Sequence, residues 1–112
     1  MHNVNGKLLT TYDNTLGVMF YSHPEMYIYG TAENIGRLCY ALNESIVVYT
    51  DLKLYSGGNV IAPESLAYEV WCGMIAAHGN KRGRKPACSV YLKDSVTGEV
   101  VKHFRYGGGI EN

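Results

Sequence analysis

Residues 26–43, MYIYGTAENIGRLCYALN, constrain the fold most strongly, because they combine a strand signal, a turn and a helix. Residues 26–29 have side chains that favour strands. Thr31 follows Gly30 and is predicted to cap the helix, since its hydroxyl can accept a hydrogen bond from an amide of the first turn. The apolar side chains that recur at helical spacing, and predict a buried stripe, are Ile35, Leu38, Cys39 and Leu42. The segment therefore indicates a helix that follows a strand and buries one side.

A second helix is predicted over Pro63–His78. Proline suits the first helical position, and Gly79 followed by Asn80 is typical of a helix end. Gly73 lies in the middle of this helix, where glycine costs about 1 kcal/mol relative to alanine, so we expect another segment to approach closely there. The apolar positions form a broad stripe, as in a helix that lies across a sheet: Leu66, Ala67, Val70, Trp71, Met74, Ile75 and Ala77.

Strands are predicted on both sides of the two helices. An N-terminal hairpin is expected at residues 7–12 and 17–22, and a strand at residues 45–50, with residues 52–55 as a candidate extension. Residues 56–59, Ser-Gly-Gly-Asn, are expected to form a flexible connection. A last hairpin is expected at residues 87–94 and 99–106. The element order is about ββ(β)αβαββ, which predicts an α+β fold with a mostly antiparallel sheet and two helices.

Length and charge narrow the class of protein. A chain of 112 residues has room for one domain, expected over residues 1–106 and followed by a flexible glycine-rich tail at residues 107–112. Ten Lys and Arg residues balance ten Asp and Glu residues. This neutrality argues against an acidic mimic of DNA and against a protein that coats nucleic acid through bulk charge.

The cysteines and the N-terminal residues indicate a cytoplasmic setting. The three cysteines, Cys39, Cys72 and Cys88, are an odd number at wide spacing, and at least two lie on apolar stripes. The first residues show no basic region followed by an apolar run, and no apolar stretch approaches the length that spans a bilayer. We therefore expect a cytoplasmic protein with reduced thiols and no membrane contact.

The candidate catalytic groups are weak. None of the four histidines has a metal ligand at helical or hairpin spacing, so a structural or solvent-exposed role is expected for each. The best grouping is His103 with Arg105, two positions apart on one strand face and within reach of Lys93 or Tyr91 on the facing strand. A small nuclease is the least favoured hypothesis built on this grouping. We predict no catalytic residue, no metal site and no cofactor.

A cluster of cations follows the second helix. Lys81, Arg82, Arg84 and Lys85 surround Gly83, in a loop that suits phosphate or an acidic protein surface. A solvated turn explains the cluster equally well. A partner contact at this loop therefore stays an alternative. Of the two candidate partners, nucleic acid is less favoured than protein because the chain is neutral.

The chain has ten tyrosines, more than a core of this size needs. Tyr40 and Tyr68 are expected in or beside the core, whereas Tyr49, Tyr91 and Tyr106 are candidates for exposed positions on the sheet. Tyrosine combines a rigid apolar ring with a polar tip, which favours it at protein interfaces. The residues of the last hairpin that we expect to bind a partner are Tyr91, Lys93, His103, Arg105 and Tyr106.

The strand, turn and helix with the motif YGTAEN, followed by the stripe of Ile35, Leu38 and Leu42, resemble the opening of some small bacterial toxin-immunity proteins. The resemblance covers about one-fifth of the chain. It implies a protein that binds and blocks a cognate toxin without chemistry, and it assigns no binding residue here.

Two classes of function remain in view. The leading hypothesis is a non-enzymatic protein of bacterial or phage type that occludes another macromolecule, such as a toxin or a component of a defence system. The alternative is a nucleotide or nucleic-acid binding protein, in which residues 81–85 hold phosphates and a tyrosine stacks on a base. The sequence leaves homo-oligomer formation open.

Overall fold

The computed structural model of the chain describes residues 6–20, 23–40, 45–83 and 85–107, and for residues 19, 20 and 23–27 it describes the backbone. Two helices pack on one face of a six-stranded sheet, and a small two-stranded sheet lies between them in sequence. The α+β class with two helices is confirmed. The elements are β1 (Gly6–Tyr12), β2 (Thr15–Phe20), β3 (His23–Gly30), α1 (Ala32–Leu38), β4 (Ser45–Tyr49), β5 (Tyr55–Ser56), β6 (Asn59–Val60), α2 (Pro63–His78), β7 (Ala87–Lys93) and β8 (Val100–Gly107).

The large sheet is mixed, with the order β3-β2-β1-β4-β7-β8. The two hairpins at its ends are antiparallel, as predicted from their short turns. In the centre, β4 runs parallel to both β1 and β7. A helix separates each of these parallel neighbours along the chain, and such a connection crosses over the sheet rather than turning back.

The N-terminal hairpin turns at Asp13 and Asn14, which have positive φ angles of 54° and 60°. Two consecutive residues of this kind make the tight turn that matches the twist of paired strands. β3 then forms one edge of the sheet and includes Pro24. Proline is tolerated there because an edge strand needs ladder hydrogen bonds on one side only.

The first helix is shorter than predicted and faces the core differently. Its cap is confirmed, because the Thr31 hydroxyl accepts a hydrogen bond from the Asn34 amide at 3.2 Å. The helix ends at Leu38, and the predicted stripe residue Leu42 lies outside the described residues. Leu38 is 54% exposed, so its predicted place in the buried stripe is wrong. The buried stripe is instead Ala32, Ile35, Gly36 and Cys39, which has the same helical spacing on a neighbouring face.

The two helices cross where each has a glycine. A β-carbon on Gly73 would overlap the backbone oxygen of Glu33, and a β-carbon on Gly36 would overlap that of Val70. The close approach expected at Gly73 is therefore confirmed, and its partner is α1. The predicted bounds Pro63–His78 of α2 are also confirmed, with Gly79 as the residue that ends the helix.

The core lies between the helices and one face of the sheet. Its fully buried side chains include Leu9, Leu16 and Val18 from the N-terminal hairpin, Val48 and Val90 from the central strands, and Ile35, Leu66 and Val70 from the helices. Cys39 and Cys88 contribute buried thiols to this core. Burial first, and then the nearby Cys39 thiol, raises the pKa of Cys88 to about 12, which keeps Cys88 uncharged.

The segment between β4 and α2 differs from the prediction. Residues 52–55 do not extend β4, because Tyr55–Ser56 pairs with Asn59–Val60 in a separate two-residue ladder. Gly57 and Gly58, at φ angles of 63° and 85°, form its turn. The expected flexible connection is thus a small hairpin, and its Ser56 hydroxyl accepts a hydrogen bond from the Ala32 amide at the start of α1. That contact ties the small hairpin to the first helix.

Candidate protein-interaction surface of the C-terminal hairpin

The register of β7 and β8 sorts their side chains onto two faces. Val90 pairs with Phe104 and Cys88 with Tyr106, and because Val90 and Cys88 are core residues, this side is the helix face. Alternate residues point the other way, onto what we call the open face. The open face of the hairpin carries Ser89, Tyr91, Lys93, Val101, His103 and Arg105. The structure therefore brings together Tyr91, Lys93, His103 and Arg105 from the predicted contact set.

Tyr91 and His103 form a stacked pair on the open face. They are directly opposite in the ladder, and their ring centroids are 4.3 Å apart with an angle of 6° between the planes. His103 is exposed and Tyr91 is half-buried. Each ring holds the other in a fixed orientation, which lowers the entropy that a partner must remove on binding. The grouping of His103 with Tyr91 and Arg105 on one face agrees with the expected register.

Arg105 is exposed beside this pair, with its guanidinium 3.4 Å from the Ser89 hydroxyl, to which it donates a hydrogen bond. Lys93 is half-buried at the other end of β7, where the ladder pairs it with Val100 after an irregularity at Leu92. On the β4 side of β7, the open face is closely packed. Val47 of β4 lies between Leu8 and Tyr91 and is only 3% exposed. The exposed chemistry of this face is therefore concentrated at β8.

Tyr106 lies apart from the other predicted contact residues, on the helix face. It packs against Trp71 and Tyr68 of α2, with ring centroids 6.2 Å and 5.4 Å away, and we call Tyr68, Trp71 and Tyr106 the aromatic cluster. Trp71 donates a hydrogen bond to the Pro86 carbonyl at 3.2 Å, which fixes its ring. Tyr68 is 48% exposed rather than buried beside the core. The cluster therefore presents a tyrosine at the surface on an immobilised aromatic base.

The sequence reasoning missed this cluster, although a signal was present. Tyr68 and Trp71 are three residues apart on α2, a spacing that places two side chains on one side of a helix. A hydrogen bond with Cys72, and next the electrostatic effect of the same side chain, raise the pKa of Tyr68 above its ordinary 10.0, so the phenol stays neutral. The cluster is therefore an uncharged surface that begins on α2 and reaches β8.

The turn of the hairpin is held by Asp94. Its carboxylate accepts hydrogen bonds from the amides of Val96 and Thr97 at 2.8 Å and 3.0 Å. These bonds, that of Thr97 first, hold the pKa of Asp94 below its usual 3.8. The turn therefore depends on a charged group.

We expect Asp94 to make the hairpin sensitive to acid. Because its pKa is lowered on folding, its contribution to stability is complete above pH 3.8 and is lost as the pH falls through the folded-state pKa. Asp94→Asn keeps an acceptor oxygen and removes the titration. Thermal melts between about pH 6 and about pH 2 should therefore show a shallower loss of stability in Asp94→Asn than in the wild type. The same slope in both proteins would contradict this role.

The predicted anion-binding loop is exposed at Lys81, Arg82 and Lys85, while Arg84 lies outside the described residues. The Lys81 ammonium lies 5.5 Å from the centre of the Tyr40 ring, which directs this cation back toward the helices. Lys85 lies two positions before β7, and β7 begins opposite the end of β8. The loop therefore lies at the same end of the sheet as Arg105.

His78 has a structural position at the end of α2. It is 4% exposed, and its Nδ1 lies 2.7 Å from the Tyr40 hydroxyl, a hydrogen bond that links the ends of the two helices. Its buried Nε2 has no hydrogen-bond partner among the residues that the structure describes. The structural role expected for this histidine agrees with its burial.

Two hollows open on other parts of the molecule. One, of ≈ 410 Å³, is lined by Leu8, Tyr49, Asp51 and Ser95 among others. The other, of ≈ 390 Å³, lies beside Glu33, Ser56 and Glu69. Neither hollow includes the predicted contact residues of the hairpin in its lining.

Among the described residues, no three His, Cys, Asp or Glu side chains are grouped as ligands for a metal ion. Neither described helix has the length and apolar composition needed to cross a bilayer. Comparisons with protein-family models, with curated proteins and with solved structures find no match to this chain.

Proposed function

We propose that this chain is a non-enzymatic, cytoplasmic binding protein of bacterial or phage type, which acts by covering a surface of another protein. A toxin or a component of a defence system is the proposed target. The observation that carries the proposal is the grouping of Tyr91, His103 and Arg105 on the open face, at an exposed edge of the sheet. Tyrosine and arginine dominate the energetics of protein interfaces more often than other residues do.

The distribution of charge indicates the chemistry of the target surface. The chain is neutral overall, but β8 carries Lys102, His103 and Arg105 and no acidic residue. Acidic side chains lie elsewhere, for example Glu64 and Glu69 on α2. Opposite charges across an interface raise the association rate and exclude wrong partners. An acidic protein surface therefore fits the hairpin best.

Capture from extracts of candidate host cells, followed by binding and activity measurements with the purified captured protein, tests the proposal. We expect a stable complex in which the activity of the captured protein falls as this chain is added. Turnover of a small substrate by this chain, together with no protein bound, would overturn the proposal.

We expect Tyr91→Ala and Arg105→Ala each to weaken partner binding by about 1–3 kcal/mol, because each removes a side chain that the fold holds ready on the open face. Calorimetry with the captured partner measures the change, and thermal melts show that each variant folds. Tyr12→Ala and Arg37→Ala are matched controls, since both residues are exposed and lie on other elements. Wild-type affinity in both hairpin variants would place the interface elsewhere, with the loop at residues 81–85 next to be tested.

A single-stranded nucleic acid is the second candidate ligand. The observation that favours it is the stacked pair of Tyr91 and His103 beside Arg105, since rings and cations on an open sheet also suit bases and phosphates. Such binding weakens steeply as salt is raised, because counterion release supplies much of its affinity. Titration of a labelled oligonucleotide at low and high salt therefore separates the two candidates. A flat salt response would exclude nucleic acid.

A further inference from the structure

The edge strand β8 has one side without a partner strand in the described sheet. It is the last strand in the sheet order, so within the described sheet its neighbour is β7 on one side only. An edge strand presents unpaired amide and carbonyl groups that can form a ladder with another extended segment. Val101 is 54% exposed on this strand. The side of β8 that faces away from β7 is therefore the side on which the described sheet could accept another strand.

The other edge of the sheet has features that oppose such pairing. β3 contains Pro24, which cannot donate a ladder hydrogen bond, and its register with β2 shifts between Met19 and Phe20. Prolines and irregular registers are devices that protect edges. β8 has eight residues and no proline, and its register with β7 shifts only near the Val100 end, beyond Leu92. Of the two edges, β8 is the one suited to accept a strand.

The charges on β8 determine which strand can be accepted. A second copy of this chain, paired through its own β8, would bring Lys102 and Arg105 against the same two cations. Like charges on facing strands destabilise a pair, whereas opposite charges stabilise it. The charge of β8 therefore favours an acidic segment over self-association.

The aromatic cluster supplies an apolar contact beside the same edge. Tyr106 belongs to β8, and Tyr68 of α2 packs on it while remaining 48% exposed. Alternate side chains of an added strand would point to the helix face, where these rings lie, and to the open face, where Arg105 lies. One strand can therefore engage both groups at once.

On these grounds, and resting on the proposed function, we propose that the partner docks by adding an acidic extended segment to the sheet along β8. Backbone hydrogen bonds join the segment to the edge. Its acidic side chains contact Arg105 on the open face, and an apolar side chain on the helix face contacts the aromatic cluster. This is a defined mode of peptide recognition in which the ladder supplies affinity and the side chains supply specificity.

A peptide titration tests strand addition directly. The probe has eight residues, the length of β8, alternates glutamate with valine, contains one phenylalanine and is blocked at both ends. Trp71 is the single tryptophan of the chain and belongs to the aromatic cluster, so its fluorescence reports binding at this edge. We expect a saturable change in emission below about 1 mM peptide. A peptide with lysine for glutamate, and one with alternate amides N-methylated, should give none.

Charge reversal supplies the matched variant. Arg105→Glu should weaken binding of the glutamate peptide by about tenfold and create binding of the lysine peptide. Lys53→Glu, on an exposed residue outside the hairpin, should bind the glutamate peptide as the wild type does. Thermal melts show that the variants fold.

Three results would overturn strand addition: no binding of the glutamate peptide, equal binding of the N-methylated peptide, or a preference unchanged by charge reversal. A dimer that forms at the same protein concentration through β8 would also overturn it, because the occupant would then be a second copy. These results are distinct from failure of the proposed function. A captured partner whose affinity depends on Tyr91 and Arg105, but which competes with no strand peptide, would keep the function and remove the docking mode.

Discussion

Gly73→Ala is expected to destabilise the protein by about 2–3 kcal/mol, since overpacking a close contact forces the backbones apart. This loss of stability is the reverse of the usual effect, because replacing glycine by alanine inside a helix normally stabilises it by about 1 kcal/mol. The cause is the crossing of the helices, where a β-carbon on Gly73 would overlap the backbone oxygen of Glu33. A backbone atom cannot swing aside as the end of a flexible side chain does, so α1 and α2 must separate.

Chemical denaturation measures this effect. Gly36→Ala should act in the same direction, because its β-carbon would overlap the Val70 backbone oxygen from the other side of the crossing. Ser65→Ala is the control, an exposed position on α2 where a change within about 0.5 kcal/mol is expected. Stabilisation by Gly73→Ala would mean that the helices do not cross at these glycines.

The second large effect concerns two apolar residues of α1. Ile35→Ala is expected to cost about 2–5 kcal/mol, because Ile35 is fully buried and its truncation leaves a cavity under the helix. Leu38→Ala should change stability by less than about 0.5 kcal/mol, since Leu38 is 54% exposed. The two residues belong to the same helix, so differences in helix propensity contribute little to the contrast.

Denaturant unfolding of both variants under the same conditions shows which face of α1 is buried. The sequence predicted a stripe that contained both residues, and in that arrangement the two costs would be similar. Similar costs for Ile35→Ala and Leu38→Ala would therefore contradict the orientation of α1 described above.

The elements with strong local signals were predicted well from the sequence. The bounds of α2 were confirmed because proline at its start and Gly79 at its end act within a few residues. The Thr31 cap was confirmed for the same reason. The contact at Gly73 was also predicted, because a glycine inside a helix is costly unless something needs the space. The sequence did not predict that α1 is the segment that contacts Gly73, since a local pattern does not show which segments meet.

The features that depend on tertiary contacts were the ones missed. The parallel pairing of β4 with β1 and β7 follows from the path of the crossover helices, for which no local pattern exists. The orientation of α1 is set by its crossing with α2, which turns Gly36 rather than Leu38 inward. The sequence predicts a flexible connection where β5 and β6 form a small hairpin, because two strands of two residues show almost no periodicity.

The candidate surface was predicted in part. Strand alternation correctly placed His103 with Arg105 on one face, and the hairpin register added Tyr91 opposite His103. The same alternation places Tyr106 on the other face, because Tyr106 directly follows Arg105 and adjacent residues of a strand point to opposite faces. The aromatic cluster could not be predicted in this way, because its prediction requires knowing which strand lies under α2. Each proposed role of these residues remains a prediction.

Amide hydrogen exchange of the chain, alone and bound to its captured partner, tests most directly whether the C-terminal hairpin is the interface. Exchange slows where a partner covers or pairs with the backbone. If the hairpin is the interface, amide exchange should slow most in β8 and next in β7, and the amides of α1 should exchange at the same rate in both states. Slowing confined to the helices or to the loop at residues 81–85, with β8 amides exchanging as in the free protein, would contradict it.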